Sequence, residues 1–420
     1  MRSVMRLSII IMITGAVPID SVTAEEILLS QNAPPAASSS LPNPTIAPSV
    51  AEIRQRVAKS LPFLEREGLA WMRGKACVTC HQIPAMVWSL GEARRHGYGV
   101  DAAKLALWNT WSLDNGWKRG VYYKLTEDSI QKLQESGLPI ADAEKLKPLV
   151  GKNYVFAAEF TTALSQALGE PAFSKYQAAA VAAAAKAGQG GGGGASNSQY
   201  TALLLAGSAD TATDPAAVRR ELVAGLVKSQ KSDGSWEAAG QFLGQQRPKP
   251  ETLEVVALWT LLALAAVPES SAEKTAAEAL GRRFVIGSKE TNNTETLMLR
   301  AMLAANDGNA ELSRALRKRL IAAQHDDGGW GWLLDRPTSD AFTTGMVLYG
   351  LAYLGDVGKE PAVARAQRYL FQQQRNDGVW SLVGKTISAN TREDTKQSDA
   401  IYTYWTTGWA VLGLLKTMPE

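Results

Sequence analysis

From about residue 51 the chain alternates between two kinds of hydrophobic pattern, and both have helical spacing. The segment Pro361 to Gln374 puts Val363, Ala366, Tyr369 and Leu370 on one face and turns Arg365 and Arg368 away, as a half-buried helix requires. Phe342 to Leu354 is apolar nearly all round, the pattern of a helix enclosed on every side. Near the start, amphipathic Ile53 to Met72 is followed by apolar Ile83 to Leu90 in the same order. The predicted unit is an outer helix, a turn and an inner helix.

The turn between them carries a heptapeptide, Gln-x-x-x-Gly-x-Trp, at Gln230 to Trp236, Gln324 to Trp330 and Gln374 to Trp380. Gly234, Gly328 and Gly378 can take the left-handed conformation that ends a helix. The preceding Asp233, Asp327 and Asp377 can bond nearby amides, and each Trp can lie over its Gln. Trp330 and Trp380 are 50 residues apart, and Trp236 and Trp330 are 94 apart, so a degenerate unit is expected between the last two. Glu273 to Phe284 can be its outer helix and Thr294 to Ala305 its inner one. The last two inner helices share Thr-Thr-Gly-x4-Gly-Leu, at 343 to 351 and 406 to 414, each after Ser-Asp-Ala at 339 and 398. A fixed period of this kind means stacked hairpins rather than independent domains.

These turns resemble those of the squalene-hopene cyclase and prenyltransferase repeat family, whose hairpins close into an α/α toroid. The resemblance is carried by residues 215 to 416 and is weaker over 100 to 200, where Asp114-Asn115-Gly116-Trp117 and the Gly190 to Gly194 run read as eroded turns or, for the glycines, a loop after a helix over Ala178 to Lys186. It implies an all-α fold, a closed ring of about six to seven repeats. The family's chemistry does not follow with it. The cyclases protonate substrate with Asp-x-Asp-Asp, which does not occur here, and the prenyltransferases use a zinc site with a cysteine ligand, whereas both cysteines here lie far from the matching repeats. Asp340 and Asp399 remain as isolated acids, better read as helix-start residues.

Composition adds a compartment. Among 420 residues, 45% are hydrophobic and 20% charged, with a formal net charge of +3, which points to neither nucleic acid nor an anionic surface as the main partner. Arg2 and Arg6 precede an apolar run, Leu7 to Val17, shorter than the roughly 20 residues of a spanning helix, and Val22-Thr23-Ala24 suits a cleavage site. Residues 1–24 are read as a secretory signal peptide, with an uncleaved anchor as the alternative. The mature chain is then periplasmic or otherwise exported and has no integral span. Residues 25–50, rich in Pro and Ser, read as a disordered tether, 51–100 as the first hairpin and 101–420 as the ring of repeats.

The chemistry lies in Cys77-Val78-Thr79-Cys80-His81. Two thiols three positions apart can add to the vinyl groups of haem b, and the next residue then offers its imidazole to the iron, so Cys77, Cys80 and His81 form a c-type haem attachment pattern. One covalent haem c is expected, in the turn of the first hairpin. A Cys77–Cys80 disulfide and a zinc site are the alternatives, the latter short of ligands. With the following Pro84-Ala85-Met86-Val87-Trp88-Ser89, the motif also resembles bacterial haem-bearing variants of the cyclase-like repeat family.

For the distal iron ligand, His325 in the second heptapeptide turn and Met86 are candidates. His96 lies about 20 Å from the motif along the same helix, and a five-coordinate iron is open. Two functions are consistent with these residues. One is electron transfer or redox sensing with a partner protein, the ring acting as scaffold. The other is haem-dependent oxidation or binding of an apolar, isoprenoid-like molecule in a ring cavity, which Trp259, Phe342, Trp405 and Trp409 could line or simply fill, tryptophan being more often core; a cyclase-like enzyme without the usual acid ranks behind both. Whether the chain is an enzyme at all is left open.

Overall fold

The computed structural model describes residues 47–75, 82–116, 122–187, 203, 214–237, 248–289, 292–355, 357, 360–382 and 392–419. All of them belong to one compact unit, Asn43–Glu420. The signal segment 1–24, the tether up to residue 46, the haem motif residues Cys77, Cys80 and His81, Trp117 and the Gly190 to Gly194 run lie outside the described residues. Among the described residues there are fifteen α-helices and no strand, so the all-α expectation holds. No described helix is long and apolar enough to cross a membrane.

The first hairpin consists of α1 (Val50–Lys75) and α2 (Ile83–Arg95). Helix α1 buries one stripe, Ile53, Val57, Leu64 and Met72, whereas α2 is buried continuously from Ile83 to Ala93. Five helices follow: α3 (Ala102–Gly116), α4 (Glu127–Glu135), α5 (Ile140–Leu146), α6 (Ala157–Leu168) and α7 (Ala172–Ala187). The remainder runs α8 (Pro215–Ser229), α9 (Lys249–Ala265), α10 (Ala272–Gly287), α11 (Thr294–Asn306), α12 (Ala310–Ala322), α13 (Ala341–Leu354), α14 (Pro361–Gln373) and α15 (Arg392–Lys416). Helices α10 and α11 fall where the degenerate unit is read. Helices α9, α11 and α13 are buried on nearly every side, while α8, α10 and α12 bury a single stripe.

Residues 122–187 depart from the expected alternation. Helices α4 to α7 each bury one face, and Leu125, Ile130, Leu146, Phe160, Leu164 and Tyr176 form a second core separate from the main one. No helix in this stretch is buried all round, not even the Ala-rich α7, so none is an enclosed inner helix. The Asp114-Asn115-Gly116 segment ends α3 rather than turning between hairpins.

The three heptapeptide turns are built identically. Trp236, Trp330 and Trp380 are fully buried, and each indole Nε1 donates to the carbonyl ten residues earlier on its own outer helix, Leu226, Leu320 and Leu370, at 2.8, 2.7 and 2.7 Å. Each Gln closes its turn by donating to the Gly carbonyl four residues on, at 3.1, 2.7 and 3.0 Å. The same amide reaches the next outer helix: Gln230 to the Ala277 carbonyl of α10 at 2.9 Å, Gln324 to that of Ala362 in α14 at 2.8 Å, and Gln374 to that of Arg56 in α1 at 2.9 Å. The turn glycines have φ of +90°, +89° and +86°. A Cβ there would lie 2.4, 2.7 and 2.5 Å from the backbone oxygens of Leu280, Arg365 and Lys59, so glycine is required twice over, for the dihedral and for the close approach.

The shared Thr-Thr-Gly-x4-Gly-Leu segment joins the turns to the inner helices. Thr344 and Thr407 accept the backbone N–H of Trp330 and Trp380 at 3.0 and 3.2 Å. The first glycine meets the following inner helix, Gly345 against Trp409 and Ala410 of α15, and Gly408 against Ala85 of α2. The second meets the preceding one, Gly350 against Met298 of α11, and Gly413 against Gly345 of α13. By both sets of contacts the α1–α2 hairpin stands next after α14 and α15.

The double requirement on the turn glycine is testable. Gly97 has φ +78° and nothing within 4 Å of where a Cβ would stand, so Gly97→Ala carries only the dihedral cost, about 1–2 kcal/mol. Gly378→Ala adds the clash with Lys59, and urea unfolding should show it clearly the more destabilised; equal losses would mean that the turn does not bear on α1.

Candidate functional site

The Cys77-Val78-Thr79-Cys80-His81 motif lies by sequence in the short connection from α1, which ends at Lys75, to α2, which begins at Ile83 with Pro84 in its first turn. In later hairpins the heptapeptide occupies the corresponding connection. What the structure describes here is the ground on either side. The α2 residues that follow the motif, Ile83 to Ala93, are buried, and α2 packs against α1, α3 and α15.

Met86 is fully buried, and a Cβ added at Gly68 would lie 2.3 Å from its Sδ and 2.8 Å from the Tyr404 hydroxyl. The thioether therefore occupies the close contact between α1, α2 and α15, and Tyr404 closes that contact by donating to the Leu64 carbonyl at 2.7 Å. His96 caps the far end of α2, where its Nε2 lies 3.2 Å from Glu92 Oε1. Glu92 is also bound by Arg95 at 2.6 Å and Lys416 at 3.0 Å. Burial opposes ionisation of this carboxyl, but the hydrogen bonds and charges of Arg95 and Lys416 outweigh it and hold its pKa below the usual range. This cluster ties the end of α15 to α2.

His325 is half-buried in its turn, with Nδ1 2.8 Å from Ser339 Oγ, and Ser339 donates to Asp327 Oδ1 at 2.7 Å. Because the hydroxyl proton is directed to the carboxylate, Ser339 accepts from His325 Nδ1–H, and the acceptor nitrogen of the ring is Nε2. The His325 turn docks on α14, and the Gln374 turn docks on α1. Two outer-helix spacings of about 10 Å each separate the His325 turn from α1, on the order of 20 Å. His325 and Met86 are not brought together: one belongs to a turn, the other to the core.

Trp259, Phe342, Trp405 and Trp409, which could line a pocket or simply fill it, are packed into the core among the described residues. Each is at most 3% exposed. Rings from four inner helices, Trp88, Trp259, Tyr349 and Trp409, meet with centroids 5.2 to 6.4 Å apart, and Phe342 packs on Trp405 at 4.9 Å. Trp259 Nε1 donates to the buried Glu295 carboxylate at 2.9 Å. A space of about 10 Å³ bordered by Pro84, Ala85, Trp88, Trp405 and Trp409 has room for one water molecule. The sequence pattern does not single out Trp88 or Glu295; an apolar run hides which of its aromatics points to the centre, and a first-turn Glu looks like a dipole partner.

Of the two isolated acids, Asp399 lies inside α15 rather than at a helix start. Asp340 is the N-cap of α13: it accepts from Thr343 N at 2.6 Å and from Thr343 Oγ1 at 2.9 Å. Burial nevertheless pushes its pKa from 3.8 up to about 6. An acid whose folded-state pKa is raised contributes stability that is complete below about pH 4 and is lost as pH rises through about 6. Asn caps a helix as well as Asp and does not titrate. Asp340→Asn should therefore gain stability relative to the parent as pH rises from 4 to 6.5, measured by thermal melts; parallel pH profiles for the two proteins would refute the burial of this carboxylate.

No protein-family model matches the chain, and no curated protein matches it.

Proposed function

We propose that the protein is an exported c-type haem protein whose helical hairpins close into an α/α toroid like that of the cyclase and prenyltransferase repeats, and that it serves electron transfer or redox sensing with a partner protein. The observation that carries this reading is Cys77-Val78-Thr79-Cys80-His81, set between the amphipathic α1 and the buried α2. The donor set suits the group: two thiols at the spacing of thioether attachment and an adjacent imidazole, on a connection held at both ends by packed helices. Ring closure is supported by the Gln374 turn on α1 and by Gly408 on Ala85, which put the first hairpin in the successor's place after the last.

Cys77 and Cys80 would hold the haem covalently and His81 would ligate its iron, which supplies reversible one-electron chemistry when bound. The chain's own part is rigidity. Helix α2, which begins two residues after His81 in sequence, is enclosed over eleven buried residues. Met86 is engaged in the core and His325 lies two turns away, which favours an iron whose sixth position is left to an exogenous ligand. The filled centre speaks for the ring as scaffold over a central isoprenoid-binding cavity.

The purified protein, made with a haem-maturation system, should keep its haem through denaturation and acid-acetone extraction and give a c-type pyridine haemochrome. Cys77→Ala with Cys80→Ala should abolish attachment. A colourless product, or one whose two cysteines form a disulfide, overturns the reading. The ferrous protein should bind carbon monoxide, and His325→Ala should leave its bands unchanged; a changed spectrum would restore that histidine as a ligand.

A further inference from the structure

Room for a small molecule lies on the outer wall, between α8 and α10. A cavity of about 480 Å³ opens there, within the 300–1,000 Å³ typical of ligand sites. Its wall on α8 is one helical face, Arg220, Val223, Ala224, Val227 and Lys228, spaced i, i+3, i+4, i+7 and i+8. The face that α8 gives to the core carries Leu222 and Leu226; Val223, beside it, packs on the core at one edge and borders the cavity at the other, while Ala224 and Val227 lie on the cavity side. Helix α8 thus has a second apolar stripe, and it fronts the cavity with Val267 opposite.

The charges around this stripe are not balanced. The cavity is bordered by three cations, Arg220, Lys228 and Lys274, and two carboxylates, Glu269 and Glu273. Both carboxylates are engaged elsewhere. Glu269 is bound by Arg219 at 3.1 Å, and Glu273 takes hydrogen bonds from its own backbone and from Ser271 at the start of α10. Lys274 Nζ, nearly buried, donates to the carbonyls of Val267 and Glu269 at 2.6 and 3.2 Å. Neither Arg220 nor Lys228 makes a hydrogen bond or a close ion pair among the described residues, although the charge of Arg220 adds to the hydrogen bond and charge of Arg219 in lowering the pKa of Glu269. An apolar trough with a cation free of hydrogen bonds at each end is complementary to an apolar chain with an anionic head.

We propose that this cavity binds a free single-chain amphiphile with an anionic head group of the carboxylate type, its tail along Val223, Ala224, Val227 and Val267 and its head on Arg220. Arg220 is preferred over Lys228 for the head because a guanidinium offers a planar pair of donors to a carboxylate. The site does not depend on the haem.

Titration calorimetry of the full-length protein with sodium decanoate tests the assignment. Saturable binding is expected, with 1-decanol and decyltrimethylammonium markedly weaker. Arg220→Ala should weaken decanoate about tenfold, the loss of one charge-assisted hydrogen bond, and Lys228→Ala by less. Val227→Asp, on the cavity face and away from the core, should abolish binding while the melting curve stays cooperative. The Cys77→Ala, Cys80→Ala double variant should bind as the parent does, so failure of the haem reading leaves this result intact. The assignment is overturned by the absence of saturation, by equal affinity for decanol and decanoate, by indifference to Arg220→Ala, or by binding only to vesicles of anionic lipid.

Discussion

A single glutamine amide joins each heptapeptide turn to the rest of the molecule. Its two donor hydrogens serve two helices at once, the turn that it closes and the next outer helix, and no shorter or purely accepting side chain could make both bonds. The left-handed glycine lets the next outer helix lie close to the turn, with the carbonyl of Leu280, Arg365 or Lys59 against the glycine and that of Ala277, Ala362 or Arg56, three residues earlier, within reach of the amide. The tryptophan fixes the turn from the other side, because its buried indole N–H has one acceptor, on the helix behind it. The rest of the repeat follows from this junction. Once the turns are pinned, the inner helices enter at a set spacing, and glycines at their crossings let the backbones approach.

The same junction makes the first hairpin part of the last. Gln374 bonds to α1 some 318 residues back in the chain, and Ser60 of α1 donates to the Gly378 carbonyl at 2.6 Å. Helices α1 and α2, on either side of the Cys77 to His81 motif in sequence, are thereby each packed against α15. Four aromatic rings, Trp88, Trp259, Tyr349 and Trp409, from four inner helices pack against one another in the core. A trough of open space lies between the outer helices α8 and α10.

Much of the fold can be read from periodicity. The half-buried α14 and the enclosed α13 lie where their patterns put them, and the degenerate α10–α11 pair is expected from the interval between Trp236 and Trp330. Residues 122–187 cannot be read as a separate core, because short amphipathic helices look alike whether they face a ring or one another. The roles of Asp340 and His325 are legible only in part. A Ser-Asp-Ala start suggests a cap, yet Ser339 also bridges His325 to Asp327 across a gap of fourteen residues, and that partnership arises only when loop and turn are folded together.

The sequence by itself determined the helix types, the period, the turn chemistry and the one cluster of thiols and imidazole, since these depend on residues within a few turns of one another. Tertiary structure alone decided that the last turn seats on the first helix, that Met86 belongs to the core, and that the central tryptophans fill their space rather than line it. Those outcomes depend on which side chains meet across hundreds of residues, and local spacing carries no information about that until the helices pack.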